Sequence, residues 1–150
     1  MTWKDAITLA IALFGAALSL FNTWGAIVQR RVRLRVRPMY AIGGPHGQTM
    51  FSIEVVNLSA FAVTITEVGF TLNGSTTERG PRAAVVRPII VVGGAWPRRL
   101  EARESASFYC DPREVVSRGQ KIGRAYAHTA CGEARYGTSP ALKQLREAVR

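Results

Sequence analysis

From Ala6 to Gln29 the chain carries no charged residue, and Arg30-Arg31-Val32-Arg33-Leu34-Arg35-Val36-Arg37 follows at once. As a helix rising about 1.5 Å per residue, Ala6 to Val28 covers roughly 34 Å, against a hydrocarbon core of about 30 Å. A cleaved secretory signal would have a basic start, a shorter apolar run and small residues at a cleavage site. Here Lys4 is offset by Asp5, and arginines stand where a mature sequence would begin. A core helix of this length would carry a charged face, and none is present. The pattern therefore predicts an uncleaved transmembrane helix over residues 1–29. Positive charge is retained on the cytoplasmic side of a membrane, and it lies almost wholly after the apolar run. The amino terminus is expected outside and the body of the chain in the cytoplasm. Trp3 and Trp24 fall near the ends of the span, where indole rings favour the interface.

Residues 30–37 form a basic juxtamembrane segment, and residues 38–150 make up a single domain large enough to bury its own core. The net charge is +10, about half of it from Arg30, Arg31, Arg33, Arg35 and Arg37. Arginine far outnumbers lysine, and guanidinium groups bind phosphate through two parallel hydrogen bonds. Anionic lipid headgroups are the nearest partners for these five residues, each contributing about 1 kcal/mol near the surface. No feature of the sequence points to nucleic acid.

The domain reads as strands. Phe51, Ile53 and Val55 alternate with Ser52 and Glu54, the period of a half-buried strand. Val63-Thr64-Ile65-Thr66 repeats the alternation, but beyond Glu67 the apolar phase slips to Val68, Phe70 and Leu72, which predicts a β-bulge. Asn73-Gly74 marks a turn. Val85-Val86 and Ile89 to Val92, interrupted by Pro88, read as an edge strand or a strand pair with an irregular joint. Ser105–Cys110 and Arg124–Cys131 are further strands, and Val32 to Val36 with Met39 to Ile42 supplies the first. Two short helices are expected, one opened by Asp111-Pro112 and closed by Gly119, the other opened by Ser139-Pro140 with Leu142, Leu145 and Val149 on one side. That stripe is expected to dock on the sheets, because so short a helix is marginal without packing. The architecture is thus mainly β: an N-terminal transmembrane helix followed by an antiparallel β-sandwich with two short helices.

Catalytic signals are lacking. His46 and His128 lie far apart, no serine sits in a nucleophile elbow, and Gly43-Gly44 and Gly93-Gly94 lack the spacing and lysine of a phosphate loop. His128 and Cys131, three apart on a strand, project from opposite faces and cannot chelate one ion unless the strand bends there. By strand phase Cys110 and Cys131 both point inward, as free thiols in a cytoplasmic domain or as a disulfide if the orientation were reversed. Asn57-Leu58-Ser59 and Asn73-Gly74-Ser75 match the glycosylation sequon, a pattern common by chance.

The succession Val55-Val56-Asn57-Leu58-Ser59, Val63 to Phe70, Pro97-Arg98-Arg99-Leu100-Glu101-Ala102-Arg103-Glu104-Ser105 and Arg124 to Glu133 resembles small bacterial membrane-anchored proteins with an immunoglobulin-like or fibronectin-III-like domain. The resemblance covers roughly residues 32–138 and departs at Arg103, where glycine is common. It implies an immunoglobulin-like sandwich and no catalytic residue; the expected membrane is the bacterial inner membrane, and no cofactor or metal is expected.

Within the span, Thr8, Ala12, Gly15, Ser19, Asn22 and Ala26 form a stripe of small or polar residues at spacings of three and four, with Leu9, Leu13, Leu20, Trp24 and Ile27 largely off it. Such a seam admits a second helix, another membrane protein's or a second copy's, and Asn22 can hydrogen-bond across it. The leading expectation is a non-enzymatic, single-pass accessory or interaction subunit. The alternative is a tethered binder of anionic lipid or polymer, using Arg30 to Arg37 together with Arg79, Arg82, Arg87, Arg98, Arg99 and Arg103. An enzyme would need a site that the motifs do not reveal.

Overall fold

The structure is a computed structural model that describes residues 2–43, 48–75, 80–91, 94–111 and 120–148. It divides into two compact units, Met1–Arg31 and Val32–Arg150. The first is one helix, α1 (Trp3–Gln29), long and apolar enough to cross a membrane. Its start is fixed by Thr2, whose backbone N–H and hydroxyl donate to the Asp5 carboxylate at 2.8 and 2.7 Å. An acid in the first turn also suits the positive end of the helix dipole. At the other end Arg30 and Arg31 donate back to the Ile27 and Val28 carbonyls, tightening the last turn.

The second unit holds β1 (Leu34–Gly43), β2 (Gln48–Asn57), β3 (Val63–Leu72), β4 (Arg82–Ala84), β5 (Ile89–Ile90), β6 (Arg98–Leu100), β7 (Ser105–Cys110), β8 (Ile122–Thr129), β9 (Ala134–Gly137) and α2 (Pro140–Ala148). Sheet A runs β1-β2-β7-β5 and sheet B runs β4-β3-β8-β9, with β6 also on β3; every pairing is antiparallel. Leu34 to Arg37 of the basic segment are built into β1, where Leu34, Val36 and Pro38 are buried and Arg33, Arg35 and Arg37 exposed. Phe51, Ile53 and Val55 of β2 point into the core, as their alternation predicts. They join Ile65, Phe70, Leu100 and Phe108 in one apolar cluster fed by both sheets, with the Phe51 and Phe70 rings 5.7 Å apart between β2 and β3.

The phase slip in β3 is real. Its pairing with β8 shifts between Ile65 and Glu67, so Ile65 and Val68 both face the core. Without that extra residue Glu67 would point inward, where an unpaired carboxylate is prohibitively costly. The Val85 to Val91 run proves to be the joint between the sheets: β4 edges sheet B, Val85 drops into the core, and β5 edges sheet A. Pro88 sits in the crossover, where no ladder donor is needed.

α2 docks as expected. Ser139 caps it by accepting the Leu142 N–H at 3.1 Å, Leu142 and Leu145 enter the core, and Arg146 donates to the Gly123 carbonyl. The helix expected after Asp111 and the contribution of Val149 lie outside the described residues. β9 passes so close to β1 that a Cβ on Gly137 would overlap the Val36 carbonyl. Only glycine fits there.

Cys131 corrects an expectation. The strand ends at Thr129 and the cysteine is exposed, because Ala130 to Glu133 form a turn. Thr129 exchanges hydrogen bonds with Glu133, and Gly132 at φ +89° supplies the left-handed position that reverses the chain. Cys110 does point inward, and both thiols are free.

Candidate functional site

Taken by itself, α1 has no buried side chain. Thr8, Ala12, Gly15, Ser19, Asn22 and Ala26 are all exposed. At 100° per residue they fall within an arc of about 80°. The Thr8 and Thr23 hydroxyls turn back onto the Lys4 and Ser19 carbonyls at 3.0 and 2.8 Å, so neither projects a free donor. A Cβ on Gly15 would meet nothing within 4 Å. Glycine inside a helix costs about 1 kcal/mol relative to alanine, and nothing within the helix itself offsets it.

The second feature is a row of guanidinium groups. Arg33, Arg35 and Arg37 alternate with buried residues, so all three leave the outer face of sheet A at its β1 edge. Arg30 and Arg31, also exposed, precede them. Among the described residues none of the five has a carboxylate within ion-pair distance. Three of the additional arginines are paired: Arg82 lies 3.5 Å from Glu67, Arg98 2.8 Å from Glu104 and Arg99 3.0 Å from Glu101, whereas Arg87 and Arg103 are exposed and make no ion pair among the described residues. Arg79 lies outside the described residues. The additional arginines thus do not form one unneutralised patch, whereas the β1 row does.

Two constellations were not legible in the sequence. Asn57, at the end of β2, is 0% exposed. Its amide donates to the Phe61, Leu100 and Glu101 carbonyls at 2.8, 3.2 and 3.0 Å, and its Oδ1 accepts the Ser59 N–H at 2.9 Å. Ser59 in turn accepts the Arg33 N–H at 2.8 Å, so the start of β1, the end of β2 and the turn before β7 are tied together. In that turn Glu104 accepts the Glu101 N–H at 2.7 Å, a bond that holds its carboxyl below the usual range, assisted by Arg98. The burial of Asn57 also removes its sequon from any folded-state chemistry. The only signal was an asparagine closing an apolar strand.

The other constellation lies on the outer face of sheet B. Tyr126 covers Gly69 across the β3–β8 pair, donates its hydroxyl to Glu67, carries Arg82 over its ring at 5.8 Å and stacks near Tyr136. Burial, and then the Glu67 bond, raise the phenol's pKa above its ordinary value. The bulge makes this possible by turning Glu67 outward beside Tyr126. His128 is half-buried on the same face, Cys131 lies in the turn beyond it, and His46 is outside the described residues. No cluster of three or more potential metal ligands occurs among the described residues. No protein-family model matches the chain, and no curated protein matches it.

Proposed function

We propose that the chain is a non-enzymatic, single-span membrane subunit whose helix packs on another membrane helix and whose β domain binds or stabilises a partner. The observation that carries this reading is α1, an apolar helix of 27 residues, long enough to cross a membrane, that keeps a narrow face of small and polar residues. A bilayer can cover the leucines and phenylalanines, but the Gly15 and Ser19 face gains most from a second helix. The strand order supports an immunoglobulin-like sandwich for the domain, because β1-β2-β7-β5 and β4-β3-β8-β9 reproduce the A-B-E-D and C′-C-F-G sheets of that fold. A bacterial cytoplasmic membrane, with the amino terminus outside and the domain inside, follows from the arginine asymmetry and from the resemblance.

Gly15→Leu and Ser19→Leu test the seam. Each adds hydrophobicity, so insertion is expected to persist, while co-purification of a partner or a second copy after mild detergent extraction is lost. Assembly at unchanged yield would refute the reading. Orientation is read from Cys131, which should react with a membrane-impermeant maleimide only after lysis.

A second reading has an observation of its own. The β1 arginines make no ion pair among the described residues, although Glu54 opposes Arg37, while Arg82, Arg98 and Arg99 each have one, which supports contact with anionic lipid headgroups.

A further inference from the structure

We infer that the domain lies on the bilayer by the outer face of sheet A, with Arg33, Arg35 and Arg37 held against the phosphates of anionic headgroups. The inference rests on the reading of α1 as a span. Four residues separate Gln29 from Leu34, so the chain between them reaches at most about 18 Å. A domain on so short a tether has some face or end within headgroup reach, and the charge distribution selects which.

Directly opposed residues in an antiparallel ladder share a face. Arg35 opposes Val56, which opposes Ser105; Arg37 opposes Glu54, which opposes Ser107. The outer face of sheet A therefore holds arginines at one edge, small hydroxyls in the middle and Glu54 between them, while Glu104, already paired with Arg98, borders Ser105 and Ser107, and Asp111 follows β7 in the same phase. The three guanidinium groups are spaced about 7 Å apart along β1, a pitch that serves successive headgroups. At the opposite edge Ile89, 55% exposed, shares this face through its pairing with Tyr109. Cationic groups beside an exposed aliphatic side chain match the phosphate and acyl boundary of an anionic leaflet. The outer face of sheet B matches less well: its Arg82 is already engaged by Glu67 and Tyr126 and its Arg99 by Glu101, which leaves Arg124 as a lone arginine without an ion pair among the described residues of that face.

The experiment uses the full chain in lipid nanodiscs, with Cys131→Ser to leave only the buried Cys110. A fluorescent probe is placed at Ser105→Cys on sheet A or at Ala84→Cys on sheet B, and quenching by headgroup-attached spin labels is read. Each arginine near an anionic surface adds about fivefold to binding. Arg35→Gln with Arg37→Gln should then lower the ratio of docked to undocked domain about 25-fold. Expected is quenching at Ser105 but not at Ala84 in phosphatidylglycerol discs, lost in that double variant, at raised salt and in neutral discs. Equal quenching at both probes, none at either, or quenching at Ser105 that persists in neutral discs overturns the inference. Resistance of the protein to alkaline carbonate extraction separates the two failures. A chain washed from the membrane defeats the reading of α1 as a span, whereas a retained chain with an unquenched Ser105 probe defeats only the docking.

Discussion

Replacing Asn57, 0% exposed, by alanine removes four hydrogen bonds. The amide has two hydrogens for three carbonyls, so about three bonds' worth of interaction is at stake. Orphaned buried groups cost about 1–3 kcal/mol each and part-buried ones less, which puts Asn57→Ala at about 3–5 kcal/mol. Typical domains have about 5–15 kcal/mol in total, so the loss is a large fraction of the stability. The measurement is urea unfolding of the full chain in mild detergent with Trp3 and Trp24 changed to phenylalanine. Trp96, its ring 5.3 Å from Phe108, then reports the domain alone. Asn57→Asp is the sharper arm, because it preserves shape and the acceptor for Ser59 but sets a carboxylate against three carbonyl oxygens. It should destabilise at least as much as alanine at neutral pH, and the loss should shrink in acid as a protonated Asp regains one donor. An Asn57→Asp protein as stable as the parent, or an Asn57→Ala protein within 1 kcal/mol of it, would refute the donor argument.

A fragment beginning at Val32 is expected to be soluble and to unfold cooperatively, and Ile53→Asp, which buries an unpaired charge, should abolish that transition; an aggregated parent fragment would mean that another chain completes the domain. Arg103 holds φ +68° in the turn before β7. Arg103→Gly relieves that left-handed strain and should raise stability by about 0.5–1 kcal/mol in the same urea assay, a gain that a neutral or negative result contradicts. In the folded protein one thiol, Cys131, should react with a soluble disulfide reagent at pH 8, and both should react in urea. Burial pushes the Cys110 thiol up to about 12 and Tyr126 is raised as well, so above about pH 8.5 the folded state holds protons that the unfolded chain releases. Stability should accordingly fall as pH rises from there, by about 1.4 kcal/mol per unit for the thiol, and Cys110→Val should delay the fall.

Much of the architecture was legible because it is written in short-range periodicity. The charge-free run of α1, the alternation through Phe51 to Val55, the slip after Glu67 and the Ser139 cap each act over a few residues. The same local rules place Arg33, Arg35 and Arg37 on one side of a strand. What periodicity cannot convey is which distant residues meet. Cys131 kept its strand phase in the sequence, but Gly132 and the Thr129–Glu133 bonds ended the strand two residues earlier. Asn57 read as a strand end and a sequon until the turn at Glu101 and the start of β1 were brought around it. Glu67, Arg82 and Tyr126 come from three strands and meet only because the bulge and the pairing of β3 with β4 and β8 align them. Sequence alone determined α1, the longer strands, the C-terminal helix and the charge asymmetry, since those depend on neighbours along the chain, whereas β4, β6 and β9 are too short to show a periodicity. Tertiary structure decided which arginines are neutralised and which remain available, since an ion pair depends on the sheet that brings a carboxylate within reach.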